Sequence, residues 1–239
     1  MGQPPGSGLA RTGVVLGGVA FVGSLLYFVY AYAGPFGRPA PASASAARAT
    51  VINVLLFSAF TLHHSAFARG AAKRAIASLV SPAYERSVYV WASSALFFVV
   101  CRLWQPVPGA LWTAPPAIQP LFLGVQLVGA FLAVRSAGRL DVLDLAGFRQ
   151  ALGPATASAP QLMRTGPYAF VRHPVYLGWL LLVWATPVMT GTRLVLAAVS
   201  TAYLVLAVPF EERDLRRLFG ESYAGYARDV RWRIVPFVY

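Results

Sequence analysis

Long apolar runs separated by short basic loops set the pattern of this chain. Six apolar stretches stand out, at 14–32, 51–67, 88–104, 121–134, 175–189 and 194–210. A helix crossing a bilayer perpendicularly needs about 20 apolar residues, so the fourth and fifth stretches are the weakest. Only Thr190-Gly191-Thr192 separates the last two, which predicts a tight helical hairpin. Pro187 and Pro209 fall near the ends of these stretches, where proline does least damage. After the sixth stretch, residues 211–229 read as one amphipathic helix, with Leu215, Leu218, Phe219, Tyr223 and Tyr226 mostly at helical spacing. The segment from Arg135 to His173 is too polar and long for a simple turn, and 141–152 suits a short amphipathic helix at the interface. The expected fold class is all-α: a polytopic membrane bundle of six helices, divided into an N-terminal set over 1–134 and a C-terminal region over 135–239.

Composition supports a bilayer rather than water as the solvent. Of 239 residues, 57% are hydrophobic and 12% charged, against about 25% charged in ordinary soluble domains. The formal charge of +12 would suit nucleic acid, but the basic residues sit in short loops and no nucleic-acid motif is present. One set of loops holds Arg69, Lys73, Arg74, Arg86, Arg135, Arg139, Arg149, Arg164 and Arg172, joined by six arginines of the tail; the other holds Arg38, Arg48 and Arg193. That bias predicts six crossings with both termini cytoplasmic, in a bacterial inner membrane. The first apolar run is longer than a secretory core and lacks a small-residue cleavage site, so it reads as an uncleaved membrane helix. Cys101 is the one cysteine, so an intramolecular disulfide is excluded, and it reads as a small buried hydrophobe.

The chemistry concentrates in two polar stretches of the last third. RTGPYAFVRHPVYLGW, from Arg164 to Trp179, is a basic turn opening onto a helix, with Pro174 suited to its first turn. Arg172 and His173 then lie at a helix N-terminus, which favours an anion. Glu211 and Glu212 lie where the last membrane helix leaves the bilayer, a costly place for paired carboxylates unless they are solvated or matched by cations. Cations and carboxylates at one membrane face fit a zwitterionic nucleoside such as S-adenosylmethionine. Arg172 and His173 are candidates for its carboxylate, a glutamate for its amino group or ribose, and Tyr168 and Tyr176 for its adenine or sulfonium. On spacing alone an alternative stays open: Arg172 and Arg213 snorkel and pair with Glu211 and Glu212 as topology anchors.

Gly166-Pro167-Tyr168, Val171-Arg172-His173-Pro174, Tyr176-Leu177-Gly178, Glu211-Glu212, Phe219-Gly220, Tyr223, Tyr226 and Pro236 form an ordered series. It resembles the signature of the isoprenylcysteine carboxyl methyltransferase and phospholipid methyltransferase superfamily. The resemblance implies a methyltransferase with S-adenosyl-L-methionine in a cytosol-facing pocket, capped by the C-terminal helix and reached by the acceptor from the membrane. It makes Tyr168, Arg172, His173, Gly178, Glu211 and Glu212 cofactor-binding candidates, beside Tyr176. From about residue 50 onward, His64-Ser65, Lys73-Arg74, Glu85-Arg86-Ser87, Phe148-Arg149-Gln150 and the Trp184–Thr190 run are similar to the bacterial methanethiol S-methyltransferase branch.

A thiol acceptor reacts as its thiolate, in line with the departing sulfur and about 3 Å from the methyl carbon. His64 is the candidate base, and Arg86 or Arg149 would stabilise the thiolate electrostatically. Plainer roles stay open for His64, as an interfacial histidine bonded to Ser65 or a loop carbonyl, and for Glu85 and Arg86, as an ion pair or loop cap. No zinc or iron ligand set is present, so no metal is expected. The acceptor is a small hydrophobic thiol or a lipid-like group met in membrane lipid, with dimethyl sulfide the product from methanethiol. Carboxyl, isoprenoid or phospholipid methylation and a non-enzymatic NnrU-like membrane protein are the other readings. Nothing in the sequence fixes an oligomeric state.

Overall fold

The computed structural model describes residues 8–41, 43–67, 82–139 and 161–239. The described residues divide into two compact units, those up to 107 and those from 108 onward. Among the described residues the fold is all-α apart from one small ribbon. Among the described residues, four helices are long and apolar enough to cross a membrane, through Val15–Gly37, Ala46–Ser65, Pro116–Gly138 and Gly191–Phe219; Val88–Leu103 and Pro174–Trp184 are shorter apolar helices. The outward residues of these helices, such as Leu26, Leu62, Leu127 and Phe131, are large, apolar and exposed, as lipid-facing surface must be.

The first unit contains α1 (Gly8–Ala33), α2 (Ala46–Phe67) and α3 (Pro82–Leu103). Its core is aromatic. Tyr27 packs on Phe98 at 4.6 Å, Phe28 on Phe97 at 5.6 Å and Phe60 on Phe97 at 5.3 Å between ring centroids. Gly17 gives Trp91 room beside α1, and the Trp91 indole donates to the Gly13 carbonyl at 3.0 Å. Asn53, fully buried in α2, closes a two-bond ring with the backbone of Gln105 just beyond α3, at 2.8 and 2.7 Å. A buried amide survives in this apolar setting only with such partners.

The second unit contains α4 (Gln119–Arg139), α5 (Pro174–Trp184), α6 (Gly191–Phe219) and α7 (Glu221–Asp229). The hairpin expected between the fifth and sixth stretches is α5–α6. Its connection is longer than three residues and carries β2 (Val188–Thr190), which pairs antiparallel with β1 (Ala110–Thr113). The Trp112 indole donates to the Thr186 carbonyl at 2.9 Å, pinning the ribbon. Arg193, read from sequence as a loop charge, is buried in the first turn of α6, where Nη1 donates to Thr186 Oγ1 at 2.9 Å and the Val188 carbonyl at 2.8 Å. The single helix expected over 211–229 is two. α6 runs through Pro209 to Phe219, and Gly220 at φ 54° turns the chain into α7. The left-handed conformation costs glycine little, so the helix ends there. The segment 141–152, expected as an interfacial helix, lies outside the described residues.

Candidate functional site

α6 places the carboxylates. At 29 residues it is about 43 Å long, well beyond the ~30 Å hydrocarbon thickness. Its first twenty residues end at Phe210, so Glu211 and Glu212 come as the helix leaves the apolar layer. Arg172 and His173 arrive from the turn Gly166–Ala169 and lead into α5, with Pro174 at its start. The backbone there is held by a third segment: the Arg172 amide donates to the Trp232 carbonyl at 2.9 Å and the His173 amide to the Arg233 carbonyl at 2.8 Å.

Glu212 is the hub. Its side chain is 3% exposed, and Oε1 accepts from Arg172 Nε at 2.6 Å. Arg233 Nε stands 3.3 Å from Oε2. His173 Nε2 stands 3.5 Å from Oε1; it is buried and makes no hydrogen bond of ordinary geometry among the described residues. Arg172 Nη1 is committed to backbone, donating to the carbonyls of Ala227, Val230 and Arg231 at 3.2, 2.9 and 3.2 Å. Two cations around one buried carboxylate, each further bonded, meet the condition for an ion pair out of water.

Glu211 is placed differently. Its side chain is 44% exposed, its Oε2 accepts the Tyr176 hydroxyl at 2.7 Å and lies 3.5 Å from His173 Nδ1. The His173 and Tyr176 rings stack at 5.4 Å and 9°, fixing the imidazole between the two carboxylates. Tyr168 braces the turn from behind: its hydroxyl points to the Ser136 carbonyl at 3.4 Å and its own carbonyl accepts the Tyr226 hydroxyl at 2.7 Å. Arg164 reaches the Ser222 carbonyl and ties this turn to α7. Burial and then the neighbouring Glu212 carboxylate push the Tyr223 phenol well above the ordinary tyrosine range. Burial pushes Tyr226 up to about 12. For Arg233, burial works against the charge, but Glu212 and Tyr239 outweigh it and hold the guanidinium protonated.

Five of the residues singled out from sequence therefore meet at one place: Arg172, His173, Tyr176, Glu211 and Glu212. The ion pairing weighed as a topology anchor is partly present: Arg172 does pair with Glu212, whereas Arg213 lies over the Phe210 ring at 5.6 Å. Gly178 has another neighbourhood. It meets α4 so closely that a Cβ would stand 2.6 Å from the Gly129 carbonyl oxygen and 2.7 Å from the Ala133 nitrogen. His64 belongs to the other unit, near the end of α2, with Nδ1 2.9 Å from the Tyr89 hydroxyl and its ring stacked on Phe60 at 5.6 Å. Arg86 lies in the first turns of α3, its side chain outside the described part, and Arg149 is outside the described residues. Sequence reasoning missed Arg233, whose one local signal is the apolar run Ile234-Val235-Pro236-Phe237 that follows it.

Comparison with known proteins bears on this arrangement. The phospholipid methyltransferase family matches over residues 121–222, which takes in α4 to the start of α7 and all five clustered residues. Methanethiol S-methyltransferase 2 of Bradyrhizobium diazoefficiens is 39% identical over 217 residues, 88% of this chain and 84% of that protein. The methanethiol S-methyltransferase of Crocosphaera subtropica is 34% identical over 241 residues, 96% of this chain and 94% of that one. Nurim of Xenopus laevis is 31% identical over 177 residues, 68% of this chain and 61% of that protein. No solved structure matches the chain. Similarity that runs nearly end to end in enzymes of one reaction type, with the charged cluster inside the matched region, makes this chain a membrane-embedded methyltransferase and a member of the phospholipid methyltransferase family.

Proposed function

We propose that the chain moves the methyl group of S-adenosylmethionine to a small thiol, methanethiol in the first instance, to give dimethyl sulfide and S-adenosylhomocysteine. The observation that carries the donor reading is the unequal pairing of the two glutamates. Glu212 is saturated by cations, while half-exposed Glu211 keeps capacity beyond the Tyr176 hydroxyl. An exposed carboxylate beside a stacked imidazole and phenol suits a ligand bearing an ammonium, a diol and a sulfonium. The buried His173 Nε2, without a well-formed hydrogen bond among the described residues, is a second group that a bound ligand would satisfy. In this reading Glu211, Tyr176 and His173 touch the donor, Arg172 and Glu212 hold them in place, and Tyr168 supports the turn. Gly178 serves by letting α5 approach α4.

When bound, the sulfonium supplies an electrophilic methyl carbon. The acceptor sulfur forms the new carbon–sulfur bond as the bond to the sulfonium breaks, and its proton goes to a base before or during the transfer. His64 is the proposed base. With Nδ1–H donated toward Tyr89, its Nε2 lone pair is left to take a thiol proton. Arg86 and Arg149 are proposed to stabilise the thiolate. The acceptor reading is supported by the names of the Bradyrhizobium and Crocosphaera relatives. Orientation with both termini in the cytoplasm of a bacterial inner membrane belongs to the same proposal, on the distribution of arginines.

Two measurements test it. Purified protein in detergent is expected to bind labelled S-adenosylmethionine; absence of binding removes the donor. Cells expressing the chain and fed methanethiol are expected to release dimethyl sulfide above an empty-vector control. Retained donor binding with no dimethyl sulfide would transfer the reading to carboxyl, isoprenoid or phospholipid acceptors.

A further inference from the structure

We infer that Arg233, carried on the segment 230–239, is a positioning residue that sets the geometry of the donor site by holding Glu212 from the side opposite Arg172. It lies beyond the region matched by the family, which ends at residue 222.

Four observations converge on it. Arg233 Nε faces Glu212 Oε2 at 3.3 Å, so that Arg172 and Arg233 hold one oxygen each. Its guanidinium is itself oriented, with Nη1 3.1 Å from the Tyr239 hydroxyl and the group 5.1 Å above the Tyr239 ring. Its carbonyl accepts from the His173 amide, the residue whose imidazole lies between the two carboxylates. The next residue, Ile234, is 1% exposed and packs with Leu204 and Val208 of α6, which anchors the segment one residue from the charge. The backbone of 234–239 then folds on itself, with the Ile234 and Val235 amides donating to the Tyr239 carbonyl at 2.8 and 3.1 Å. A carboxylate with a guanidinium on each oxygen is held against rotation, whereas one held on a single oxygen is not. Without Arg233, Glu212 turns about its bond to Arg172, and His173 and Glu211 lose a fixed reference. Arg228, a neighbouring arginine on α7, makes no ion pair with Glu212 among the described residues and serves as the control.

This inference rests on the proposed donor site, and its test separates the two. In the donor-free protein, Arg233→Gln is expected to raise deuterium uptake about fivefold or more in the peptide holding Arg172 and His173, and to leave α6 residues 191–206 unchanged. In the presence of donor, Arg233→Gln is expected to raise the donor KM about tenfold, with kcat within about threefold of wild type. Arg233→Lys, which keeps the charge facing Glu212, is expected to recover most of that KM, and Arg228→Gln to match wild type. Unchanged exchange at Arg172–His173 in Arg233→Gln overturns the inference whatever the donor proves to be. So does failure of Arg233→Lys to improve on Arg233→Gln, since that marks a packing role alone. If Arg233→Gln does not fold, Tyr239→Phe takes its place: it frees the guanidinium without removing it and is expected to raise uptake in the same peptide about twofold. No change there counts against the inference. The exchange response in Arg233→Gln, with a wild-type protein that binds no S-adenosylmethionine, would sink the donor reading and leave the role of Arg233 standing.

Discussion

Glu211 and Glu212 are neighbours in sequence and opposites in environment, and their substitution is expected to separate binding from folding. Glu212→Gln leaves Arg172 and Arg233 facing a neutral amide in a buried site, a loss of about 3 kcal/mol or more. It should appear as a lower midpoint of thermal or detergent unfolding. Glu211→Gln keeps the Tyr176 bond, and among the described residues Glu211 is paired with no arginine. Stability is expected to hold while donor affinity falls about tenfold, the worth of one hydrogen bond to a charged group. Unfolding in Glu211→Gln with a benign Glu212→Gln would reverse the assignment. At alkaline pH the tyrosines of α7 become relevant. Tyr226 in the folded protein titrates at about 12, because burial disfavours the phenolate, whereas an unfolded tyrosine titrates at about 10. Above pH 10 the unfolded state therefore releases its proton first, and this part of the stability is lost as pH rises toward 12. Tyr226→Phe should show a shallower decline in unfolding midpoint over that range, and an identical profile would remove Tyr226 as the cause. In the other unit, His64→Ala is expected to slow methyl transfer at least tenfold, on the scale of general-base catalysis, with donor affinity unchanged. A full rate in the variant would exclude the imidazole as the base.

At the scale of elements, the crossing of α4 and α5 is set by two glycines. A Cβ on Gly129 would stand 2.7 Å from the Gly178 carbonyl oxygen, and a Cβ on Gly178 would meet Gly129 at 2.6 Å. Both obstacles are backbone, so the helices must part. Gly178→Ala is expected to cost about 1–3 kcal/mol, seen as an earlier unfolding midpoint, while Gly124→Ala, which has open space around its Cβ, should be neutral or slightly stabilising. Donor affinity lost in Gly178→Ala without loss of stability would instead assign Gly178 a ligand contact. The glycine carried by the family resemblance was legible in sequence; its partner across the crossing was not, because no pattern in 121–134 marks Gly129 over Gly124. The helices themselves were legible because apolar runs of this length have few other uses. The ribbon of Ala110–Thr113 with Val188–Thr190 was not, being too short and too distant in sequence to leave a period. Gly220 did carry a stop signal, but the apolar spacing of Leu215, Phe219, Tyr223 and Tyr226 continued across it and hid the break. Arg172, His173, Glu211 and Glu212 stood out because charge beside an apolar span is costly. Arg233 sat among other arginines, marked in the sequence only by the apolar run that follows it.

For the whole molecule, the buried position of Arg193 sharpens the argument for orientation. Counted as a loop charge, it weakened the contrast between the two sets of loops. With its guanidinium bonded to Thr186 and Val188 in the first turn of α6, it belongs to the interior of the protein and has no claim on either surface. That leaves Arg38 and Arg48 against the many arginines of the other loops and the tail, the bias on which the proposed orientation rests. In the proposed orientation the site lies on the cytoplasmic side, since Arg172, Glu211 and Arg233 lie on the basic connections of the last third and the tail. The native Cys101 is buried, so introduced cysteines report on their own. Ser43 lies in the connection between α1 and α2, and Phe237 is 85% exposed on the segment that carries Arg233. In intact bacterial cells a membrane-impermeant maleimide is expected to label Ser43→Cys and to reach Phe237→Cys only after permeabilisation. The reverse pattern would put the ionic cluster outside the cell, away from the intracellular supply of S-adenosylmethionine, and the proposed donor would fall with the topology.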